Sequence, residues 1–132
     1  MDSTIEVLTS VEVGGILTVA CEMSDGYLAV GNQDGIVSII SPDGEIKQSF
    51  ELDGKIIGLF EIDGNLIVGS SISGICGYSE EIIWNHELNS GCEIICRCGN
   101  DFLVADSSGL LFRFDSNGGL SVSYTHLTLP TS

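Results

Sequence analysis

Basic residues are nearly absent from this sequence: four Lys+Arg stand against 19 Asp+Glu in 132 residues, a formal charge of −15. A surface so poor in cations has little with which to neutralise phosphates or an anionic bilayer, which argues against nucleic-acid and membrane-surface partners. No stretch approaches the roughly 18 consecutive apolar residues of a membrane span. The first residues carry Asp2 and Glu6 instead of the basic and apolar regions of a secretion signal, so a cytoplasmic location is expected. Proline is scarce, at two. Five cysteines make an odd number with no secretory context, so no disulfide framework is expected. A disordered acidic tail is excluded in turn, because 43% of the residues are hydrophobic.

Glycine is abundant, at 17 residues, and it falls in a repeat. Three segments align: Tyr27-Leu-Ala-Val-Gly31, Asn65-Leu-Ile-Val-Gly69 and Asp101-Phe-Leu-Val-Ala105. A second mark aligns Gly35, Gly74 and Gly109, each opening an apolar run. Asp-Gly pairs at Asp25, Asp34, Asp43, Asp53 and Asp63 break the chain about every nine residues. Both residues tolerate the positive φ of tight turns, so this dipeptide between Ile/Val/Leu runs marks hairpins. Ser79–Leu88 could begin as a capped helix, but its alignment with the strand-like residues 44–52 favours strand.

Four short strands per unit of 36 to 39 residues describe the blade of a β-propeller. The expected fold is all-β: a partial propeller of about three four-stranded antiparallel blades. Residues 4–13 are expected as a leading outer strand, 15–52 and 55–88 as two blades, and 92–121 as an incomplete third. Residues 122–132 (Val-Ser-Tyr-Thr-His-Leu-Thr-Leu-Pro-Thr-Ser) resemble the translation of a transposase adapter used in sequencing libraries. They are set apart as a non-native tail. Tyr124 and His126 then carry no functional weight, and the natural sequence is expected to continue differently after Ser121.

Asp63-Gly-Asn-Leu-Ile-Val-Gly-Ser-Ser-Ile-Ser-Gly-Ile-Cys-Gly-Tyr78, with Glu81-Ile-Ile-Trp-Asn-His-Glu-Leu88, resembles the repeat of pyrroloquinoline-quinone-type (quinoprotein-like) propellers, neighbours of the tryptophan-aspartate repeats. The resemblance spans roughly residues 15 to 120 and implies Trp84 as a packing residue on an outer strand. It implies the fold without the cofactor, because the adjacent cysteine pair of the quinone-dependent enzymes is missing. No Trp-Asp or Gly-His dipeptide occurs either.

Cys92, Cys96 and Cys98 have one half of a zinc-like spacing but no second knuckle. By alignment Cys96 shares a slot with Cys21 and Phe60, and Cys98 with Met23 and Ile62, so all are expected in apolar core; no metal and no cofactor are expected. His86 aligns with Phe50 and Val11 and is expected to pack or to lie at a rim. The turn carboxylates Asp25, Asp34, Asp43, Asp53 and Asp63 form the candidate binding rim. The function expected is a non-catalytic scaffold mediating protein or ligand binding, with a basic protein the partner suited to the acidic rim and with open blade edges able to self-associate. The alternative is a fragment of a propeller enzyme, a quinone- or calcium-dependent oxidoreductase or a lyase, whose active residues are expected in a missing C-terminal part. The excess acid also suits a high-salt habitat, where self-repulsion is screened. That idea requires the melting temperature to climb steadily as NaCl is raised toward about 1 M; a thermal scan showing no salt dependence removes it.

Overall fold

The computed structural model describes residues 10–88 and 91–124 and contains, among them, strands and turns but no helix. Twelve strands form three four-stranded sheets. Blade 1 holds β1 (Leu17–Glu22), β2 (Leu28–Asn32), β3 (Ile36–Ile40) and β4 (Ile46–Glu51). Blade 2 holds β5 (Ile56–Ile62), β6 (Asn65–Ser70), β7 (Gly74–Ser79) and β8 (Glu81–His86). Blade 3 holds β9 (Ile94–Cys98), β10 (Asp101–Ala105), β11 (Leu111–Asp115) and β12 (Leu120–Tyr124). Within each sheet the strands lie in chain order and every pairing is antiparallel. The all-β, three-sheet expectation holds, and residues 81–86 are strand, not helix.

One expectation needs correction. Blade 3 is not short of its outer strand: the Asp115 carboxylate accepts the N–H groups of Asn117 and Gly119, both at 2.9 Å, and turns the chain back onto β11. The resulting β12 takes in Val122–Tyr124, residues set apart above as tail. Of the expected leading strand, residues 4–9 lie outside the described residues. Its described part, residues 10–13, is irregular and is followed by Gly14 and Gly15 at φ 78° and 69°, a conformation that no strand continues through.

The sheets stack face to face, and the cores lie between them. Alternation along each strand sends one set of side chains to each neighbour. Ala29, Val37 and Ile39 of blade 1 meet Ile56, Leu59, Leu66, Val68 and Tyr78 of blade 2. On its other face blade 2 offers Ile62, Ile67 and Ile75 to Phe102, Val104 and Phe114 of blade 3. The inner strands β1, β5 and β9 approach in sequence. Thr18 ties the first pair together, its hydroxyl donating to the carbonyl of Ile56 at 2.5 Å. At Gly31 an added Cβ would sit 2.5 Å from Ile56 Cγ2, so only glycine admits blade 2 this closely.

The second interface is aromatic. Trp84 stacks on Phe102 (5.9 Å, 10°), Phe102 on Phe114 (5.5 Å, 17°) and His86 on Phe114 (5.2 Å, 27°). Phe102 is fully buried at its centre. Truncating it leaves a large void, so Phe102→Ala is expected to cost about 3–5 kcal/mol. Ile72→Ala, at a site 66% exposed, should stay within about 0.5 kcal/mol of the parent. Urea unfolding followed by tryptophan fluorescence checks both.

Candidate functional site

Chain-ordered antiparallel strands send their turns alternately to two rims. The β1–β2 and β3–β4 turns of each blade emerge at a first rim; the β2–β3 turns and the links between blades emerge at a second. The five candidate carboxylates therefore separate, with Asp25, Asp43 and Asp63 on the first rim and Asp34 and Asp53 on the second. Several are engaged in the turns themselves. Asp25 accepts the N–H of Tyr27 at 3.2 Å, and Asp63, at φ 51°, accepts the Ser116 hydroxyl from blade 3 at 3.2 Å. The link at Asp53 is pinned to blade 2, its N–H donating to Ser73 Oγ at 2.9 Å.

On the second rim one slot recurs at the end of the second strand of each blade, filled by the buried Asn32, Ser70 and Asp106. Asn32 Oδ1 accepts the N–H groups of Asp34 and Ile36, both at 2.9 Å. Asp106 Oδ1 accepts those of Ser108 and Leu110, both at 3.0 Å, and the Ser108 hydroxyl at 2.6 Å. These groups hold turns. The Ser108 hydroxyl first, and then the backbone N–H groups, keep the Asp106 carboxyl below the usual carboxylate range.

The first rim holds the more open feature, a cleft of about 490 Å³ between blades 1 and 2. Met23, Tyr27, Ile39 and Tyr78 give it apolar surface, and Asp25, Glu61 and Glu80 give it charge. Tyr78 is fixed by stacking on Phe50 (4.1 Å, 15°) and by donating to Gln48 Oε1 at 2.8 Å. Burial, and then the charge of Glu80, push its phenol up. Glu61 accepts the N–H of Ser24 at 2.9 Å, joining the two blades across the cleft. Burial and the Glu61 charge push the neighbouring Cys21 thiol up to about 11. Glu80 forms the tight β7–β8 turn at φ 64°, unusual for a residue other than glycine. Lys47 lines the cleft too, paired with Glu45 at 2.7 Å. Of these residues only Asp25 was singled out in the sequence.

Other sequence candidates are structural. Trp84 packs between blades 2 and 3 over the bare backbone of Gly77 and Gly118. His86 lies beside it, with Nε2 2.6 Å from the Gly118 carbonyl, an arrangement that calls for the Nε2–H tautomer. Gly35 and Gly74 stand at φ 90° and 109°, each with the chain leaving its own blade's outer strand against it, and Gly109 at φ 92°. Burial pushes the Cys76 and Cys92 thiols up to about 12. Cys96 contradicts the expected core slot: it is exposed and Cys98 half-buried, because among the described residues no fourth sheet covers their face of β9. Among the described residues no three His, Cys, Asp or Glu side chains come together as a metal site.

No protein-family model and no curated protein matches this sequence. Solved structures do. The computationally designed Ika4 protein is similar with a TM-score of 0.81 at 14% identity, over 93% of this chain and 82% of that one. The WD40 β-propeller domain of Doa1 gives 0.72 at 17%, over 89% of this chain and 43% of that one. A chain of a mitotic checkpoint complex gives 0.70 at 15%, over 83% and 37%. This chain thus spans about two fifths of those last two. Similarity at such identities shows the fold, a partial β-propeller.

The depressed carboxyl of Asp106 has a consequence for stability. A group whose folded pKa lies below its unfolded value stabilises the fold above the unfolded pKa, about 3.9 for Asp. That contribution is lost as pH falls through the folded value. Asp106→Asn should therefore flatten the acid limb of a urea-midpoint profile recorded from pH 6 downward, the pH range being chosen to bracket about 3.9.

Proposed function

We propose that this chain is a non-catalytic propeller scaffold, and that the first-rim cleft between blades 1 and 2 docks a basic segment of a partner protein. The observation that carries this reading is the pairing of an apolar floor, Tyr27, Ile39 and Tyr78, with the carboxylates Asp25, Glu61 and Glu80 in a cleft of about 490 Å³. The floor would bury the aliphatic stems or aromatic rings of a peptide, while the carboxylates would pair with its Lys and Arg heads. The net charge of −15 would draw a cationic partner in and repel an acidic one. Propeller chains that sit in protein assemblies, as in the checkpoint complex, support a scaffold role, and the quinoprotein-type likeness of residues 63–88 fits the same reading.

A labelled Lys/Arg-rich peptide carrying interspersed Leu and Tyr should bind, with affinity falling as salt rises; its Glu-for-Lys counterpart should not. Glu61→Gln and Glu80→Gln should each weaken binding about two- to fivefold, the span of exposed ion pairs. Asp34→Asn and Asp53→Asn, on the opposite rim, should leave it unchanged. Fluorescence anisotropy reads all four. Equal losses at both rims would mean that overall charge, and not the cleft, attracts the peptide.

A further inference from the structure

Strand β4 carries an irregularity opposite β3. Ile39 pairs with Gln48 and Ile40 with Ile46, so Lys47 is an extra residue with no partner in the ladder. Consecutive residues of a regular strand point to opposite faces. The bulge breaks that alternation, and Lys47 and Gln48 both line the first-rim cleft. Lys47 Nζ is engaged by Glu45 at 2.7 Å. Gln48 is half-buried, and its Oε1 accepts the Tyr78 hydroxyl from blade 2 at 2.8 Å. Tyr78 is itself stacked on Phe50 at 4.1 Å, so the carboxamide it holds has one orientation. The Nε2–H2 group of Gln48 has no partner among the described residues. The ionised carboxylates of Asp25, Glu61 and Glu80 can only accept. Gln48 therefore supplies the acidic cleft with a neutral, oriented donor.

We propose that Gln48 is a specificity-determining residue of this cleft: its carboxamide, held by Tyr78, donates to a main-chain carbonyl of the docked segment. The inference rests on the docking of a basic segment proposed above and adds a reader of backbone to the readers of charge. The acceptor follows from the chemistry of the partner. A Lys/Arg-rich segment brings few side-chain acceptors, and a cleft lined by carboxylates repels anionic ones, whereas every residue brings a carbonyl. A segment that covers the cleft also strips water from Nε2–H2, and a donor left without an acceptor weakens binding. Tyr78 is the positioning residue: it acts through Gln48, by occupying Oε1 and so turning the N–H groups toward the cleft.

The test is fluorescence anisotropy of the labelled Lys/Arg-rich peptide on the full chain over a salt series. Gln48→Glu keeps the Tyr78 contact but sets an acceptor against the carbonyl. It should weaken binding about fivefold although it adds a negative charge. Gln33→Glu adds the same charge at an exposed site on the second rim and should leave the affinity equal or raise it. Gln48→Met deletes the donor and should also cost about fivefold, with the salt dependence unchanged because no charge is lost. Tyr78→Phe should cost about twofold and nothing further in the Gln48→Met background. A wild-type chain that binds no peptide overturns the docking itself and the part of Gln48 with it. A wild-type chain that binds, beside a Gln48→Glu variant that binds as tightly or more tightly, overturns the role of Gln48 alone. So does a loss at Gln48 that tracks a lower melting temperature while the folded fraction keeps its affinity.

Discussion

Where Ile56 of blade 2 lies against the bare backbone of Gly31, two twisted sheets come close enough to share a core. The described cores all lie between blades in this way. A four-stranded sheet cannot hide both faces by itself, and with strands for every described element there is no helix among the described residues to lay over one. Each blade therefore owes its stability to its neighbours. Blade 2, covered on both faces, holds most of the fully buried aliphatic residues, among them Ile56, Ile62, Leu66, Ile67 and Val68. Burial falls away toward the free face of blade 3, where the same repeat leaves Cys96 exposed.

This division of labour frees the rims. Strand faces are committed to packing, whereas the turns need only residues that satisfy their own N–H groups, as Asn32, Asp106 and Asp115 do. Side chains at the strand ends next to those turns can then vary. Tyr27, Tyr78 and Glu61 belong to that class, and with Glu80 of the β7–β8 turn they assemble a cleft only because blades 1 and 2 meet there. A binding surface built this way belongs to a pair of blades and not to a repeat unit.

The same distinction explains what could be read in the sequence. Strand identity and order were legible because Asp-Gly turns and apolar runs are local signals; β6 and β7, bracketed by Gly64 and Gly74, fall where the pattern puts them. The cleft was not legible, since Glu61 of β5 and Glu80 of the β7–β8 turn meet Asp25 and Lys47 from another blade. Alignment placed Cys96 in the core because the slot is interior in blades 1 and 2; whether a slot is covered depends on what stacks upon it. The outer strand of blade 3 was missed because Val122–Tyr124, which complete it, had been set apart as tail; its turn, Asp115 to Gly119, is held by a side-chain carboxylate.

The two interfaces also show how space is shared between facing blades. Where blade 2 presents the glycines Gly58, Gly69 and Gly77, the volume they leave is filled by Ile95 of blade 3 and by the Trp84 ring lying over Gly77. Phe102 and Phe114 complete the stack. Blade 1 has Val19 and Ile39 at two of the corresponding positions, and its partner residues are correspondingly aliphatic, with a single Phe50–Tyr78 stack toward the first rim. Small faces large across each contact, as close packing demands. On blade 3 all three positions carry side chains, Ile94, Ala105 and Arg113, so no glycine hollow remains for an aromatic to enter. A face of that form is shallow.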